Sequence, residues 1–105
     1  MKINGSLEVK DEIIAGFCRK WRITELALFG SVLRDDFRPD SDIDVLVRFE
    51  RPVLWGLFDL AHMEEELAGI FGRNVDLIDR LAVEKSPNYI RRRAILGSAQ
   101  TVYAA

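Results

Sequence analysis

Two carboxylates and a Gly-Ser pair in the first half of the chain have residue types and spacing suited to phosphate chemistry. Asp42 and Asp44 open an apolar run, and alternation along a strand would direct both side chains to one face. Two close carboxylates are costly unless a cation neutralises them. Gly30-Ser31 ends an earlier apolar run, at a point where a strand would give way to a helix. The first backbone N–H groups of a helix have no partner within it, so they could bind an anion there. The pattern therefore predicts a phosphate cradle that faces a metal-binding pair of acids.

A third acid, Asp76, lies inside the apolar run 75–78, where a carboxylate is costly without a partner. We expect it to join Asp42 and Asp44, because acids on neighbouring strands can converge without the ordering of a loop. Oxygen ligands of this kind favour Mg²⁺ or Mn²⁺ over zinc. Two such ions can support an in-line displacement at phosphorus.

Each acid also has a structural interpretation when it is taken alone. Asp42 follows a turn-like segment and could be a loop or cap residue. Asp76 could be an acid paired with Arg73 or Arg80. Asp79 could replace Asp76 in the site, but its odd spacing places it on the opposite face of the strand.

Basic residues near these acids are candidates for binding phosphate. Arg34 lies one helical turn past Ser31 and could reach a phosphate, or it could be a solvated side chain. The triplet 91–93 is the densest basic cluster, but three consecutive helical residues spread around the helix. A partner surface, a contact with the acidic centre and a solvated face all fit that triplet.

The remaining chemistry-bearing residues are better interpreted as structural. The single cysteine, Cys18, excludes an internal disulfide and a cysteine zinc site, and it fits a packed helix. His62 lacks a partner for chemistry. The acidic run 64–66 points in several directions on a helix and suits a solvated face. Trp55 and Phe58 could form an exposed contact or pack in the core.

Length and composition predict one soluble domain over residues 1–105. Hydrophobic residues make up 49% of the chain, charged residues 30%, and the formal net charge is −2. Such a balance argues against direct nucleic-acid binding, which needs clustered positive charge. Without a signal-peptide pattern or a membrane-spanning apolar run, we expect a cytoplasmic protein that does not contact a membrane.

Apolar periodicity predicts strands separated by helices. The expected helices cover residues 7–22, 57–71 and 86 to about 97, with one or two helical turns at 31–35; the expected strands cover 23–29, 42–49 and 74–79. Residues 1–6 show no clear period. This order favours an α/β or α+β fold with helices packed mainly on one face of the sheet.

The chain resembles the DNA polymerase β-like nucleotidyltransferase superfamily. Gly30-Ser31, ten residues and then Asp42-Ile43-Asp44 are similar to its Gly-Ser-x10-Asp-x-Asp signature, and segments 28–47, 75–79 and 86–91 also match. The size resembles the minimal (MNT) branch. The resemblance implies a small mixed sheet, with Asp42 and Asp44 as metal ligands. It also implies that Asp76 completes the metal site and can act as base, while Gly30 and Ser31 hold the triphosphate.

The same resemblance implies an antitoxin that transfers AMP from ATP to a tyrosine of a HEPN-domain ribonuclease toxin. Two Mg²⁺ ions, with Mn²⁺ as an alternative, are the expected cofactors, and a hetero-oligomer with the toxin is the expected assembly. Two other functions stay open. The chain could neutralise a partner by covering it, or it could transfer a nucleotide to a small molecule with help from another chain. No residue identifies the base, the acceptor or the number of AMP units.

Overall fold

The computed structural model describes residues 2–4, 7–33, 41–52 and 55–105. In these ranges it contains strands, four α-helices and a short 3-10 helix over Gly30–Leu33. The strands are β1 (Lys2–Asn4), β2 (Leu7–Glu8), β3 (Ile23–Phe29), β4 (Ile43–Phe49), β5 (Val75–Asp79) and β6 (Gln100–Ala104). The α-helices are α1 (Asp11–Lys20), α2 (Leu57–Phe71), α3 (Arg80–Glu84) and α4 (Tyr89–Ser98).

The main sheet has four strands in the order β5-β4-β3-β6. Strand β4 runs parallel to β5, whereas β3 runs antiparallel to both β4 and β6. Strands β1 and β2 form a separate antiparallel pair. The α+β class and the mixed sheet expected from the sequence are therefore confirmed.

Apolar side chains cover both faces of this sheet. Helices α1 and α2 pack on the first face, over a core that includes Ile14, Phe17, Leu26, Leu28, Val45, Val47, Met63 and Leu67. The short helix α3 and helix α4 pack on the second face, where Val83 and Ile95 contact Ala27, Phe29 and Leu46. Because side chains alternate along β4, Asp44 shares the second face with Leu46.

The first helix is shorter than its apolar pattern predicted. It begins at Asp11, and Leu7–Glu8 is a strand that pairs with β1, although residues 1–6 had shown no period. Val9 is buried, so its helix-like spacing reflects packing against the same core from outside the helix. Hydrophobic spacing indicates which residues are buried, and here the buried positions begin before the first residue of the helix.

The C-terminal part also differs from its prediction. Helix α4 begins at Tyr89 rather than at Ser86-Pro87, and the side chain of Asn88 caps it by accepting a hydrogen bond from Arg91 N. Helix α3 and strand β6 were not predicted. Strand β6 lies at the edge of the sheet and is mostly exposed, so it lacks the apolar alternation that identifies a strand.

Within the described part of the chain, no helix is long and apolar enough to cross a membrane.

Candidate active site

Two of the predicted acids lie side by side on the second face of the sheet. The parallel register of β4 and β5 pairs Asp44 with Asp76. Ile43 N donates a hydrogen bond to Asn74 O at 2.9 Å, which fixes the beginnings of the two strands against each other. Asp42 is exposed and comes immediately before β4. The sheet itself therefore positions two carboxylates, and the third stands at its rim.

The surroundings of Asp44 favour a cation. Asp44 is partly buried, and burial is the main reason why the pKa of its carboxyl is raised. The negative charges of Asp76 and then Asp42 raise this pKa further. Asp44 is thus repelled by the other two acids, and a bound cation would relieve that repulsion.

Gly30 meets Asp44 at the other side of the site. Phe29 pairs with Asp44 in the antiparallel register, so the backbone of Gly30 lies against the carboxylate. Gly30 has φ +77°, and a Cβ built there would overlap Asp44 Oδ2. Only glycine permits this close approach without strain. Gly30 also begins the 3-10 helix, so the turn predicted at this position is confirmed.

Two predicted phosphate-binding residues are described less fully. The backbone of Ser31 belongs to the 3-10 helix, whereas its side chain lies outside the described part of the structure. Arg34 lies outside the described residues altogether. The roles of both residues therefore stay predictions.

The acidic face carries the oxygen ligands that a hard divalent cation prefers. Among the described residues, no three histidine, cysteine, aspartate or glutamate side chains are arranged to enclose a metal ion. Magnesium in phosphate-transfer sites, however, uses one or two carboxylates and completes its shell with phosphate oxygens and water. Asp44 and Asp76 provide such oxygen ligands. The pKa of Asp44 is raised by burial first and by the neighbouring acids second, and a bound cation would offset both effects.

Two of the alternatives for the acids, those that involve Arg80 and Asp79, have structural answers. Arg80, one of the two arginines considered as a partner of Asp76, is paired with Glu25 and with Glu84. The carboxylate of Asp79 caps helix α3 by accepting a hydrogen bond from Leu81 N at 3.0 Å. Asp79 therefore has a local role, and Asp76 stays the predicted third acid.

The acidic run on α2 supports the fold. Glu64 Oε2 accepts a hydrogen bond from Leu77 N at 2.8 Å, which ties α2 to the strand that carries Asp76. Glu66 accepts hydrogen bonds from Lys20 and Trp21 on the first face. Only Glu65 is exposed, so the predicted solvated face describes one residue of the three.

The structure also shows the surroundings of the cysteine, the histidine and the two aromatic residues that the sequence had singled out. Cys18 is fully buried, and burial raises the pKa of its thiol to about 12. His62 is exposed on α2. The indole of Trp55 donates a hydrogen bond to Trp21 O and packs edge-on against the Trp21 ring at a centroid distance of 5.1 Å. Phe58, by contrast, is 86% exposed.

A cleft between α3 and α4 opens on the same face of the sheet as the acids. Its volume is about 130 Å³, and Ile78, Val83, Arg91 and Arg92 are among the residues that line it. The arginine triplet was noticed in the sequence, but its neighbours on α3 gave no signal. Helix α3 has five residues, too few for a recognisable period.

Comparison with known proteins identifies the chain's relatives. The model of the family described as "Nucleotidyltransferase domain" matches residues 10–99. A protein adenylyltransferase named MntA, from Thermococcus cleftensis, is 36% identical over 59 residues, which are 56% of this chain and 58% of that protein. The chain covers 63% and 58% of the lengths of the first curated relatives that it matches.

Solved structures share the fold. A candidate minimal nucleotidyltransferase has a TM-score of 0.65 and 31% sequence identity, and the match covers 86% of each chain. A complex of a tri-AMPylated Shewanella oneidensis HEPN toxin with an MNT antitoxin has a TM-score of 0.60 and 18% identity, and the match covers 90% of this chain and 70% of that one. The second likeness concerns the fold alone.

Proposed function

Because this chain belongs to the nucleotidyltransferase domain family, we propose that it transfers AMP from ATP to a hydroxyl group at the acidic face of its sheet. One observation carries the proposal. Asp44 lies opposite Asp76 on paired strands, with the side-chain-free backbone of Gly30 against its carboxylate. This arrangement joins an oxygen-ligand site to a turn where phosphate oxygens can approach the backbone.

The chain's own residues have distinct parts in this reaction. Gly30 and Ser31 hold the terminal phosphates of ATP at the start of the 3-10 helix, and Arg34 adds a positive charge. Asp42 and Asp44 would hold Mg²⁺, with Asp76 completing the set, and the bound ions would offset negative charge on the phosphates. Asp76 accepts the proton of the attacking hydroxyl. The new bond forms to the α-phosphorus, and pyrophosphate leaves from the opposite side.

The acceptor we propose is a tyrosine hydroxyl of a HEPN-domain toxin, so that the chain acts as an antitoxin. Support comes from the relative named as a protein adenylyltransferase and from the shared fold of the MNT antitoxin. A partner is also needed on physical grounds. Asp42 and Asp76 are exposed to solvent, so a docked surface would exclude water from the reaction.

The decisive test is a variant with both Asp42→Asn and Asp44→Asn. This variant should fold and still bind a HEPN-domain partner, but it should no longer add AMP to that partner in the presence of ATP and Mg²⁺. The mass of the intact partner measures the transfer, and peptide mapping locates the modified residue. The loss should exceed a hundredfold, because the variant removes both carboxylates that stabilise the transferring group.

Asp79→Asn is the matched control. Asparagine also caps helices well, so this variant should keep the fold and the transfer activity. Undiminished transfer by the double variant would refute the mechanism. A partner that is inhibited by the wild-type chain but never gains mass would instead support an antitoxin that acts by occlusion.

A further inference from the structure

The cleft between α3 and α4 adjoins the acidic face. Ile78, which lines it, lies two residues after Asp76 on β5, so both side chains point to the second face of the sheet. The rise of a strand places their Cα atoms about 7 Å apart. A nucleotide whose phosphates lie at the acids can therefore extend its nucleoside toward this cleft.

The size of the cleft suits a ring system. Its volume of about 130 Å³ is well below the ~300–1,000 Å³ of a pocket that holds a whole drug-sized ligand. Its apolar lining comes from Ile78 on the sheet, Ala82 and Val83 on α3, and Ile95 on α4. Binding of a ring against such apolar side chains is favourable, because it removes apolar surface from water.

Two guanidinium groups complete the cleft. Arg92 is partly buried and donates a hydrogen bond from Nη1 to Ser86 O at 2.9 Å, which holds it beside the apolar lining. Arg91 also lines the cleft and is exposed. Guanidinium groups stack on aromatic rings and donate hydrogen bonds to ring nitrogens and carbonyl oxygens. The lining therefore combines an apolar floor with donors for a heteroaromatic ring.

We infer that this cleft binds the base of the donor nucleotide, an assignment that rests on the proposed nucleotidyl transfer. A nucleobase brings ring nitrogens that accept hydrogen bonds from Arg91 or Arg92. A tyrosine from the acceptor fits less well, because its one hydroxyl has to lie at the acids and its ring has no other acceptor. The cleft thus orients the nucleoside, while the acids and Gly30 act on the phosphates.

The test compares two probes that differ in the nucleoside. Binding of α,β-methylene-ATP and of inorganic tripolyphosphate is measured by calorimetry in the presence of Mg²⁺. The wild-type chain should bind the nucleotide analogue at least about tenfold more tightly, as expected for stacking of one base. Ala82→Phe, which fills the cleft from α3, should remove most of that difference and leave tripolyphosphate binding unchanged.

Two further variants keep the test decisive. Ala82→Leu is a smaller change that should give an intermediate loss, so it provides the answer if the phenylalanine variant does not fold. Ala61→Phe, at an exposed position on α2, should leave both affinities unchanged.

Equal wild-type affinities for the two probes would overturn the inference, as would an unchanged affinity ratio in the folded Ala82 variants. Unchanged nucleotide binding with a raised KM for the acceptor protein would assign the cleft to the acceptor instead. These outcomes are separate from the proposed function. Equal wild-type affinities for the two probes together with intact AMP transfer refute only the cleft, whereas AMP transfer by the Asp42 and Asp44 double variant refutes only the mechanism.

Discussion

Gly30 and Gly72 have similar, positive φ angles but different surroundings. Their φ angles are +77° and +71°, in the left-handed region that favours glycine. Gly72 ends helix α2, and a Cβ there would meet nothing within 4 Å. A Cβ at Gly30 would overlap the Asp44 carboxylate. At the residue scale, Gly72 serves the fold, whereas Gly30 also keeps space free beside the acids.

This pair of glycines gives a matched experiment. Gly72→Ala should lower the free energy of unfolding by about 1–2 kcal/mol through backbone strain alone, with AMP transfer retained. Gly30→Ala should carry a similar strain and, in addition, displace the Asp44 side chain, so that AMP transfer falls by at least about tenfold. Denaturant unfolding measures the first quantity, and partner mass after a timed incubation measures the second. Equal activity of the two variants would show that the space beside Asp44 is not needed.

At the scale of elements, helices α1 and α2 are joined at the first face by a small polar and aromatic contact. Glu66 on α2 accepts hydrogen bonds from Lys20 Nζ and Trp21 Nε1, both at 3.0 Å. Trp55, just before α2, bonds to Trp21 O. Burial raises the pKa of Glu66, but the hydrogen bonds from Trp21 and Lys20 and the charge of Lys20 outweigh it, so the pKa is lowered.

Glu66→Gln should therefore destabilise the protein in a pH-dependent way. A lowered pKa in the folded state means that the charged carboxylate stabilises the fold above pH 4.5, its ordinary pKa, and that this contribution is lost as pH falls through the lowered value. The variant should lose up to about 1 kcal/mol of unfolding free energy at neutral pH, since the pair is partly exposed.

The measurement is urea unfolding of the variant and the wild type across acidic to neutral pH. The difference between them should shrink at the acidic end of this range. Glu65→Gln, on the exposed side of the same helix, is the control and should show little difference at any pH. A Glu66→Gln effect that stays constant or grows as pH falls would contradict this assignment.

At the scale of the whole molecule, the two faces of the sheet have different tasks. The first face carries the larger apolar cluster beneath α1 and α2. The second carries a smaller cluster beneath α3 and α4, which leaves Asp44 and Asp76 accessible at one end of the strands. Cys18 lies in the larger cluster with no exposed surface, so it reports on the integrity of the whole core.

The native Cys18 thiol should resist alkylation by iodoacetamide. Its pKa of about 12 keeps it protonated at pH 8, and the core excludes the reagent. The rate measured by mass spectrometry should be lower than that of the urea-unfolded chain by at least about a hundredfold, since reaction requires opening of the core. Native labelling as fast as in the unfolded chain would place Cys18 outside the core.

The sequence alone determined the chemistry of the candidate site and the order of most elements. Gly30, Asp42, Asp44 and Asp76 could be selected because a carboxylate in an apolar run and a glycine at a strand end are costly or unusual unless something uses them. The long amphipathic helix α2 and the central strands were predictable because burial on one or both faces leaves a clear periodic pattern.

The tertiary structure decided what depends on contacts between distant segments. Three features join residues that are far apart in the chain or on separate elements. They are the parallel register that pairs Asp44 with Asp76, the hydrogen bond from Leu77 N to Glu64, and the cleft between α3 and α4. Strand β6 and helix α3 are short, and partner strands and packing stabilise them rather than local propensity. Local patterns record which side chains are buried, whereas only the folded chain determines which of them meet.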